Sequence, residues 1–334
     1  MSSTLATRIY RPTPRNLARL ANVLARGGLV AAPTETVYGL AADALNAKAC
    51  KAIFRAKGRP ANDPLIVHVD TLAQAGEIAE LNDAARALAK AFWPGPLTLV
   101  LPKKSSVPSI VTAGLDSVAV RMPSHPLFRK LIRLSGCALA APSANPFGYV
   151  SPTTAEHVRD GLNGRITHIL DGGAAKIGVE STILDLRDPS HPSLLRPGAV
   201  SREALERVLG KKVAAYRRVA KPAVAAVAPG MLERHYSPRT PLTLVSKLTS
   251  KHTRLAATDV ALLFIEKPKG AYGANVHWLT AKPGDLNEAA HRLFDCVREL
   301  DKSGWSGIQA ELAPGESALA LAINDRLSRA AAKR

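Results

Sequence analysis

The sequence has few cysteines and no cysteine pair. Its 334 residues contain three cysteines, Cys50, Cys137 and Cys296, and none belongs to a C-x-x-C motif. An odd number of isolated cysteines supports neither a disulfide framework nor a cysteine-rich zinc site. This pattern is typical of a reducing compartment, so we expect a cytoplasmic protein.

Long apolar runs are missing as well. No stretch approaches the length that spans a membrane, and Met1 to Pro14 lacks the apolar centre of a signal peptide. We therefore predict a soluble protein with no membrane partner.

Acidic residues are scarce relative to basic ones. There are 45 Lys and Arg residues against 27 Asp and Glu residues, a formal net charge of +18. Such a charge attracts phosphates, nucleic acid or acidic partners, and it does not choose among them. The composition alone therefore leaves the partner open.

Two common nucleotide-binding motifs are also missing. Gly173 to Gly178 imitates a phosphate-binding loop, but Val179 and Glu180 follow where that loop needs Lys and Ser or Thr. No G-x-G-x-x-G fingerprint follows a strand-like run. A P-loop ATPase and a nicotinamide or flavin dehydrogenase are both disfavoured.

What is present is an alternation of strand-like runs and helices, which predicts an α/β fold. Helix caps are predicted at Thr13, Asn46, Asn82, Ser201 and Asp285. A length of 334 residues favours two domains. We assign 1–210 to a first α/β domain, 211–240 to a basic linker and 241–334 to a small doubly wound α/β domain. The last helix is predicted from Glu316, with a frayed, functionless tail after Ser328.

Polar side chains gather where predicted strands end. Pro33 to Leu40 places hydroxyls, a carboxylate and a phenol directly after the apolar run Leu29 to Ala32. Lys57 and Arg59 follow, and a second strand ends at His68. Ligands of α/β proteins bind at strand ends, and cations there indicate an anionic ligand.

Further along, Arg121 and Arg196 each end a strand-like run, and arginine binds phosphate oxygens bidentately. Turns rich in short polar side chains lie at 142–145 and 151–153. Together these segments predict one nucleotide-binding site.

Simpler interpretations of single residues stay open. His68 could be a core histidine, Ser181 a partner of the backbone, and Glu35 a residue that only holds its loop. The linker could be a solvated tether. Because His235 and Tyr236 add a turn with aromatic and polar groups, we favour a linker that crosses the active site as a lid.

In their order along the chain, these segments resemble the threonylcarbamoyl-AMP synthase family in its long, two-domain form. The first domain resembles the YrdC domain, a twisted mixed sheet with helices, and the linker motif with a smaller Rossmann-like domain distinguishes the long form. The resemblance is carried by residues 33–40, 57–68, 118–123, 142–153, 180–185, 196–198 and 229–238.

The resemblance implies a reaction of L-threonine, bicarbonate and ATP. A carbamate of threonine attacks the α-phosphorus, pyrophosphate leaves, and the threonylcarbamoyl-adenylate feeds proteins that modify tRNA. Mg²⁺ would accompany ATP, with no metal held by the protein alone. Direct contact with RNA is left open.

The resemblance also assigns roles to individual residues. Lys57 and Arg59 would be catalytic through charge stabilisation. L-threonine would be held by Thr36, His68, Arg121, Ala141 and Ser181. ATP would be held by Arg59, Asp63, Ser117, Ser143, Ser151, Arg196 and Tyr236.

One position departs from the family, which more often has asparagine where this chain has Asp63. A carboxylate repels a triphosphate, so either Asp63 meets Mg²⁺ or a ribose hydroxyl, or Asn62 takes the neutral role. The general base is also open, with Glu35 and Glu180 as candidates.

Two other classes of function stay in view. An RNA-binding module would use the charge of +18, although six Tyr and six Phe residues offer no aromatic-rich RNA motif. The second is a carbamoyltransferase that uses carbamoyl phosphate, like the hydrogenase maturation factor that carries a YrdC-type domain. The zinc-finger cysteines of that factor are missing here.

Overall fold

The structure is a computed structural model that describes residues 5–216, 227–228, 235–249, 252 and 259–332. It contains a ten-stranded mixed sheet and a separate four-stranded parallel sheet. The predicted α/β class, with a mixed sheet followed by a smaller parallel one, is confirmed. We call the parts built on these sheets the first unit and the second unit.

The first unit orders its strands β1-β8-β2-β3-β7-β4-β6-β5-β9-β10. The strands are β1 Arg8–Tyr10, β2 Val30–Pro33, β3 Tyr38–Asp43, β4 Ile66–His68, β5 Leu97–Pro102, β6 Ser117–Arg121, β7 Leu139–Ala140, β8 His168–Leu170, β9 Thr182–Asp185 and β10 Ser193–Arg196. Its helices are α1 Pro14–Ala25, α2 Ala47–Lys57, α3 Leu72–Ile78, α4 Asp83–Phe92, α5 Pro126–Ser135, α6 Ala155–Leu162 and α7 Arg202–Leu209.

The second unit orders its strands β11-β14-β12-β13, and all the neighbours are parallel. The strands are β11 Leu242–Val245, β12 Val260–Glu266, β13 Val276–Thr280 and β14 Gly307–Glu311. Two helices among the described residues pack with them, α8 Leu286–Lys302 and α9 Ala318–Ala330. Buried Leu, Ile, Val and Ala side chains from strands and helices form one core here.

Side-chain caps explain where the helices begin. Thr13, Asn46, Asn82, Ser201 and Asp285 each accept a hydrogen bond from a backbone N–H of the first helical turn, as their positions in the sequence predict. These bonds satisfy amides that have no partner inside the helix.

The prediction for the last helix was wrong at both of its ends. It begins at Ala318 with Ser317 as its cap, because the Ser317 side chain accepts from Ala320 N. Its final turn is not frayed, since Arg329 is only 2% exposed.

The predicted domain limits at 210 and 240 stay predictions. Within the linker, residues 217–226 and 229–234 lie outside the described residues. The described pair Val227 and Ala228 packs against Ile66 and Ala119 on the first sheet. Part of the linker therefore lies on the face of the sheet that carries Ile66 and Ala119.

Candidate active site

Strand register brings the candidate residues to one edge of the first sheet. His68 and Arg121 end the parallel strands β4 and β6 and are paired directly. Strand β5 runs antiparallel to β6 with Thr98 opposite Arg121, and β9 lies parallel to β5 directly after Ser181. Arg196 ends β10, antiparallel to β9. The sheet therefore gathers side chains that are far apart in sequence.

The turn after β2 supplies the first wall of this cleft. Thr34 Oγ1 donates to Val37 O at 2.6 Å and lies 2.8 Å from Thr36 Oγ1. Arg121 Nη1 donates to Thr36 Oγ1 at 3.0 Å, and Arg121 Nη2 lies 2.8 Å from Glu35 Oε1. We call Thr34, Glu35, Thr36, His68 and Arg121 the Arg121 end of the cleft.

Electrostatics at the Arg121 end follow from burial and from the guanidinium. Burial alone would raise the pKa of Glu35, but the charge of Arg121 together with hydrogen bonds from Arg121 and from the backbone outweighs burial, and the pKa is lowered. Burial, followed by Arg121, lowers the pKa of His68 to about 3. His68 is therefore neutral at physiological pH, and its Nδ1 has no hydrogen-bond partner among the described residues.

Arg59 follows helix α2 and is held from one side. Its Nε donates to Asp63 O at 3.1 Å, its Nη2 donates to Pro64 O at 2.7 Å, and Nη2 lies 2.9 Å from Asp63 Oδ2. Burial raises the pKa of Asp63, and Arg59 opposes that rise. The Asp63 carboxylate is thus committed to orienting Arg59.

Lys57 ends helix α2 and holds the turn after β7. Its Nζ donates to Ser143 O and to Asn145 O, both at 2.6 Å. Burial, followed by the charge of Arg59, lowers the pKa of Lys57. The ammonium therefore fixes the backbone of the Ser143 turn.

Arg196 and Ser181 form the opposite wall. Arg196 Nε donates to Ser181 O at 3.0 Å and Nη2 donates to Ser181 Oγ at 3.1 Å. Ser181 Oγ also lies 2.8 Å from Thr98 Oγ1. A side chain at Gly198 would meet Thr182 N at 2.4 Å, so a glycine is needed for this close approach.

Glu180 joins this wall to the second unit. It accepts from Ser151 Oγ at 2.6 Å and, through its other oxygen, from Arg326 Nε at 2.9 Å. Sequence reasoning missed Arg326, which belongs to α9. No local signal could have found it, because arginine on a helix is usually exposed.

His235 and Tyr236 also line the cleft, and both are buried. Tyr236 has a φ of 62°, and its ring stacks on Phe294 of α8 with centroids 5.4 Å apart. Its hydroxyl has no hydrogen-bond partner among the described residues. We call Arg59, Glu180, Arg196 and Tyr236 the Arg196 end of the cleft.

Most of the predicted site residues share this one cleft. It contains about 500 Å³ of empty space, part of it open to solvent. The predicted residues that line it are Thr36, Arg59, His68, Arg121, Ala141, Ser143, Ser181, Arg196 and Tyr236. Their ligand roles stay predictions.

Four predicted residues do not line the cleft. The Lys57 ammonium donates to the backbone of Ser143 and Asn145. The Asp63 carboxylate pairs with Arg59, and the Ser151 hydroxyl donates to Glu180. Ser117 lies four residues before Arg121 on β6, so both face the same side of the sheet. These residues therefore support lining residues or lie farther along the same face.

The described residues contain no group of three or more His, Cys, Asp or Glu side chains that could hold a metal ion. Glu35, Asp63 and Glu180 are each paired with an arginine. Within the described part of the chain, no helix is both long enough and apolar enough to span a bilayer.

Comparison with known proteins agrees with the architecture. A family model described as "Telomere recombination", for Sua5, YciO and YrdC, matches residues 22–198. A second model, "Threonylcarbamoyl-AMP synthase, C-terminal domain", matches residues 200–332. The threonylcarbamoyl-AMP synthase of Pyrococcus abyssi is 45% identical over 323 residues, covering 94% of this chain and 93% of the relative. This chain belongs to the threonylcarbamoyl-AMP synthase family.

A second relative and a solved structure also cover both units. The threonylcarbamoyl-AMP synthase of Bacillus subtilis is 41% identical over 326 residues, covering 95% of this chain and 93% of the relative. A crystal structure of P. abyssi Sua5 complexed with L-threonine is 42% identical, has a TM-score of 0.87, and covers 98% of this chain and 97% of its own. The similarity thus extends beyond the first unit.

Proposed function

We propose that this protein is an L-threonylcarbamoyladenylate synthase. It condenses L-threonine, bicarbonate and ATP into threonylcarbamoyl-AMP and releases pyrophosphate. The observation that carries this proposal is the single cleft in which Thr36 and Arg121 lie at one end and Arg59 and Arg196 at the other. An amino acid and a triphosphate must be held next to each other to react, and a cleft with these two ends can hold both.

The Arg121 end would take L-threonine. The guanidinium of Arg121 would bind the substrate carboxylate, and the Thr36 hydroxyl, which already accepts from Arg121 at 3.0 Å, would be part of the same hydrogen-bond network. His68 is neutral because its pKa is lowered to about 3, so it adds no positive charge beside the substrate amine. Ala141 and Ser181 would complete this pocket.

The Arg196 end would take ATP. Arg59 and Arg196 would neutralise charge on the phosphates, and the Tyr236 hydroxyl offers a hydrogen bond that no described residue uses. Asp63 would keep Arg59 in place. Lys57 would fix the Ser143 turn, and Ser151 would act through Glu180. Ser117 lies on the same face of the sheet as Arg121, four residues earlier on β6.

The reaction then needs positioning more than a protein nucleophile. The threonine nitrogen attacks the carbon of bicarbonate and water leaves, which gives the carbamate. A carbamate oxygen attacks the α-phosphorus as the bond to pyrophosphate breaks, and the arginines stabilise the developing charge. Glu35 and Glu180 already hold arginines, so the proposal assigns no protein base.

Magnesium would enter with ATP as part of the substrate. The carboxylates at the site are paired with arginines, so they do not form an all-protein cage for the ion. The His235–Tyr236 segment would limit the access of water to the labile carbamate. The adenylate would be consumed by an enzyme that transfers the threonylcarbamoyl group to tRNA.

Incorporation of ¹⁴C-bicarbonate into an adenylate tests the proposal. With the full chain and Mg·ATP, labelled product and pyrophosphate should form together and should require threonine. Omission of threonine or of bicarbonate should abolish both. Product formed from carbamoyl phosphate without threonine would instead identify a carbamoyltransferase, and RNA binding without turnover would identify an RNA-binding module.

A further inference from the structure

We propose that Arg326, in the second unit, is a positioning residue for the nucleotide end of the cleft in the first unit. This inference rests on the proposed function, because it assigns ATP to the Arg196 end. Arg326 lies on α9 and its side chain is fully buried. A buried guanidinium is retained only where partners compensate its lost hydration.

Apart from its chain neighbour Asp325, the hydrogen-bond partners of Arg326 belong to the Arg196 end or adjoin it. Its Nε donates to Glu180 Oε2 at 2.9 Å, and its Nη2 donates to Glu180 O at 3.3 Å. Its Nη1 donates to Pro197 O at 2.8 Å, directly after Arg196. Its guanidinium carbon also lies 5.6 Å from the centre of the Tyr236 ring. One side chain therefore touches three segments of the cleft wall.

Through Glu180, Arg326 also reaches Ser151. Glu180 accepts from Ser151 with one oxygen and from Arg326 with the other, so the position of the Ser151 hydroxyl depends on a carboxylate that Arg326 orients. Arg298 of α8 donates to Ser151 O at 3.2 Å. The second unit thus holds both the backbone and, indirectly, the hydroxyl of Ser151.

The position of Arg326 is itself fixed by neighbours on α9. Asp325 Oδ2 accepts from Arg326 Nη1 at 3.0 Å, and Asp325 Oδ1 pairs with Arg329 Nε at 3.0 Å. Arg329 Nη2 in turn donates to the hydroxyl of Tyr216 at 2.8 Å. The helix is therefore anchored to the chain that leaves the first unit, which keeps Arg326 aimed at the cleft.

A simpler role for Arg326 would be to join the two units without an effect on ligand binding. The two roles predict different kinetics. Loss of a joining residue weakens the whole fold and changes the KM values of both substrates equally. Loss of a positioning residue raises the KM for the substrate whose wall it holds, while the other KM stays close to its original value.

The test compares Arg326→Gln and Arg326→Lys with the parent chain. In Arg326→Gln we expect the KM for ATP, and the dissociation constant of a non-hydrolysable ATP analogue measured by calorimetry, to rise about 10- to 100-fold, as for lost hydrogen bonds to a charged group. The KM for L-threonine should change by less than about twofold. Arg326→Lys keeps the charge but not the forked contacts, so its KM for ATP should lie between those of the parent and of Arg326→Gln.

Asn324→Ala provides the matched control on the same helix. Asn324 bonds Ala313 N at 2.7 Å and Ala313 O at 2.9 Å, so its loss weakens α9 without touching the cleft. Both KM values should keep their original size in this variant. If Arg326→Gln does not fold, Arg326→Lys alone decides between the two roles.

Direct binding separates this inference from the proposed function. If the parent binds the ATP analogue but makes no adenylate, the proposed function fails, and the affinity of the Arg326 variants for the analogue still tests positioning. Unchanged affinity in the folded Arg326 variants, or an equal rise in both KM values, would overturn the inference.

Discussion

At the Arg121 end, Arg121 donates to Thr36 and forms an ion pair with Glu35, and all three residues belong to the first unit. At the Arg196 end, Glu180 and Tyr236 instead contact Arg326 and Phe294 of the second unit. The polar side-chain contacts of one end therefore lie within the first unit, whereas those of the other end reach the second unit. We infer that binding of the two substrates depends differently on the second unit.

Among the variants proposed, a substitution of Arg59 at the Arg196 end should lower turnover most. Arg59→Ala removes a buried cation from the Arg196 end and leaves Asp63 buried without its partner. We expect turnover to fall about 10²- to 10³-fold, as when one electrostatic stabiliser of a transition state is lost. Steady-state release of pyrophosphate measures it.

Arg55→Ala is the matched control, because Arg55 is exposed on helix α2, shortly before Arg59. It should leave turnover nearly unchanged. Equal losses in the two variants would show that general charge, and not the cleft, is responsible.

The Arg121 end is tested by Arg121→Lys. Lysine keeps the charge beside Glu35 but cannot bond Thr36 and a carboxylate in the forked manner of arginine. The KM for threonine should rise about 30-fold, a loss of about 2 kcal/mol, whereas the KM for ATP should hold. A larger change in the KM for ATP would erase the distinction between the two ends.

The protonation state of His68 gives a prediction about stability. In the fold its pKa is lowered to about 3 by burial, then by Arg121, whereas an unfolded histidine has a pKa of about 6.5. Between these values the unfolded chain binds a proton that the fold does not, so acidification destabilises the fold. Through His68, acidification from pH 7.5 to 5.5 should lower the free energy of unfolding by about 1.4 kcal/mol.

His68→Gln should remove that loss. The free energy of unfolding, measured by urea denaturation, should therefore fall less on acidification in the variant than in the parent. Subtraction of the two curves cancels the other titrating groups. Parallel curves would show that His68 titrates normally in the fold.

The smallest expected effect is that of Tyr236→Phe. Because the buried Tyr236 hydroxyl has no partner among the described residues, its removal should not lower the free energy of unfolding. The KM for ATP should rise about three- to tenfold if the hydroxyl bonds the nucleotide. A fall in thermal stability with an unchanged KM would instead indicate a structural role for the hydroxyl.

The sequence was sufficient for the parts of the site that are encoded locally. Polar residues at the ends of apolar runs located Thr36, Arg121 and Arg196, because side chains at strand ends project from one sheet edge. Side-chain caps likewise located the start of most predicted helices. The α/β class followed from the same alternation.

The rest depended on contacts between distant segments. Arg326 bonds Glu180 across 146 residues of sequence, and Arg298 bonds Ser151 across 147. Nothing in a helical pattern distinguishes a buried arginine from a solvated one. Likewise, only the fold shows that the Asp63 carboxylate is paired with Arg59.

A crystal structure of the full chain with L-threonine and a non-hydrolysable ATP analogue would show where both substrates bind. We expect threonine against Thr36 and Arg121, and the triphosphate between Arg59 and Arg196, in one continuous cleft. A nucleotide bound elsewhere, for example in the open crevice of the second unit beside Lys247, Lys267 and Tyr272, would contradict this expectation.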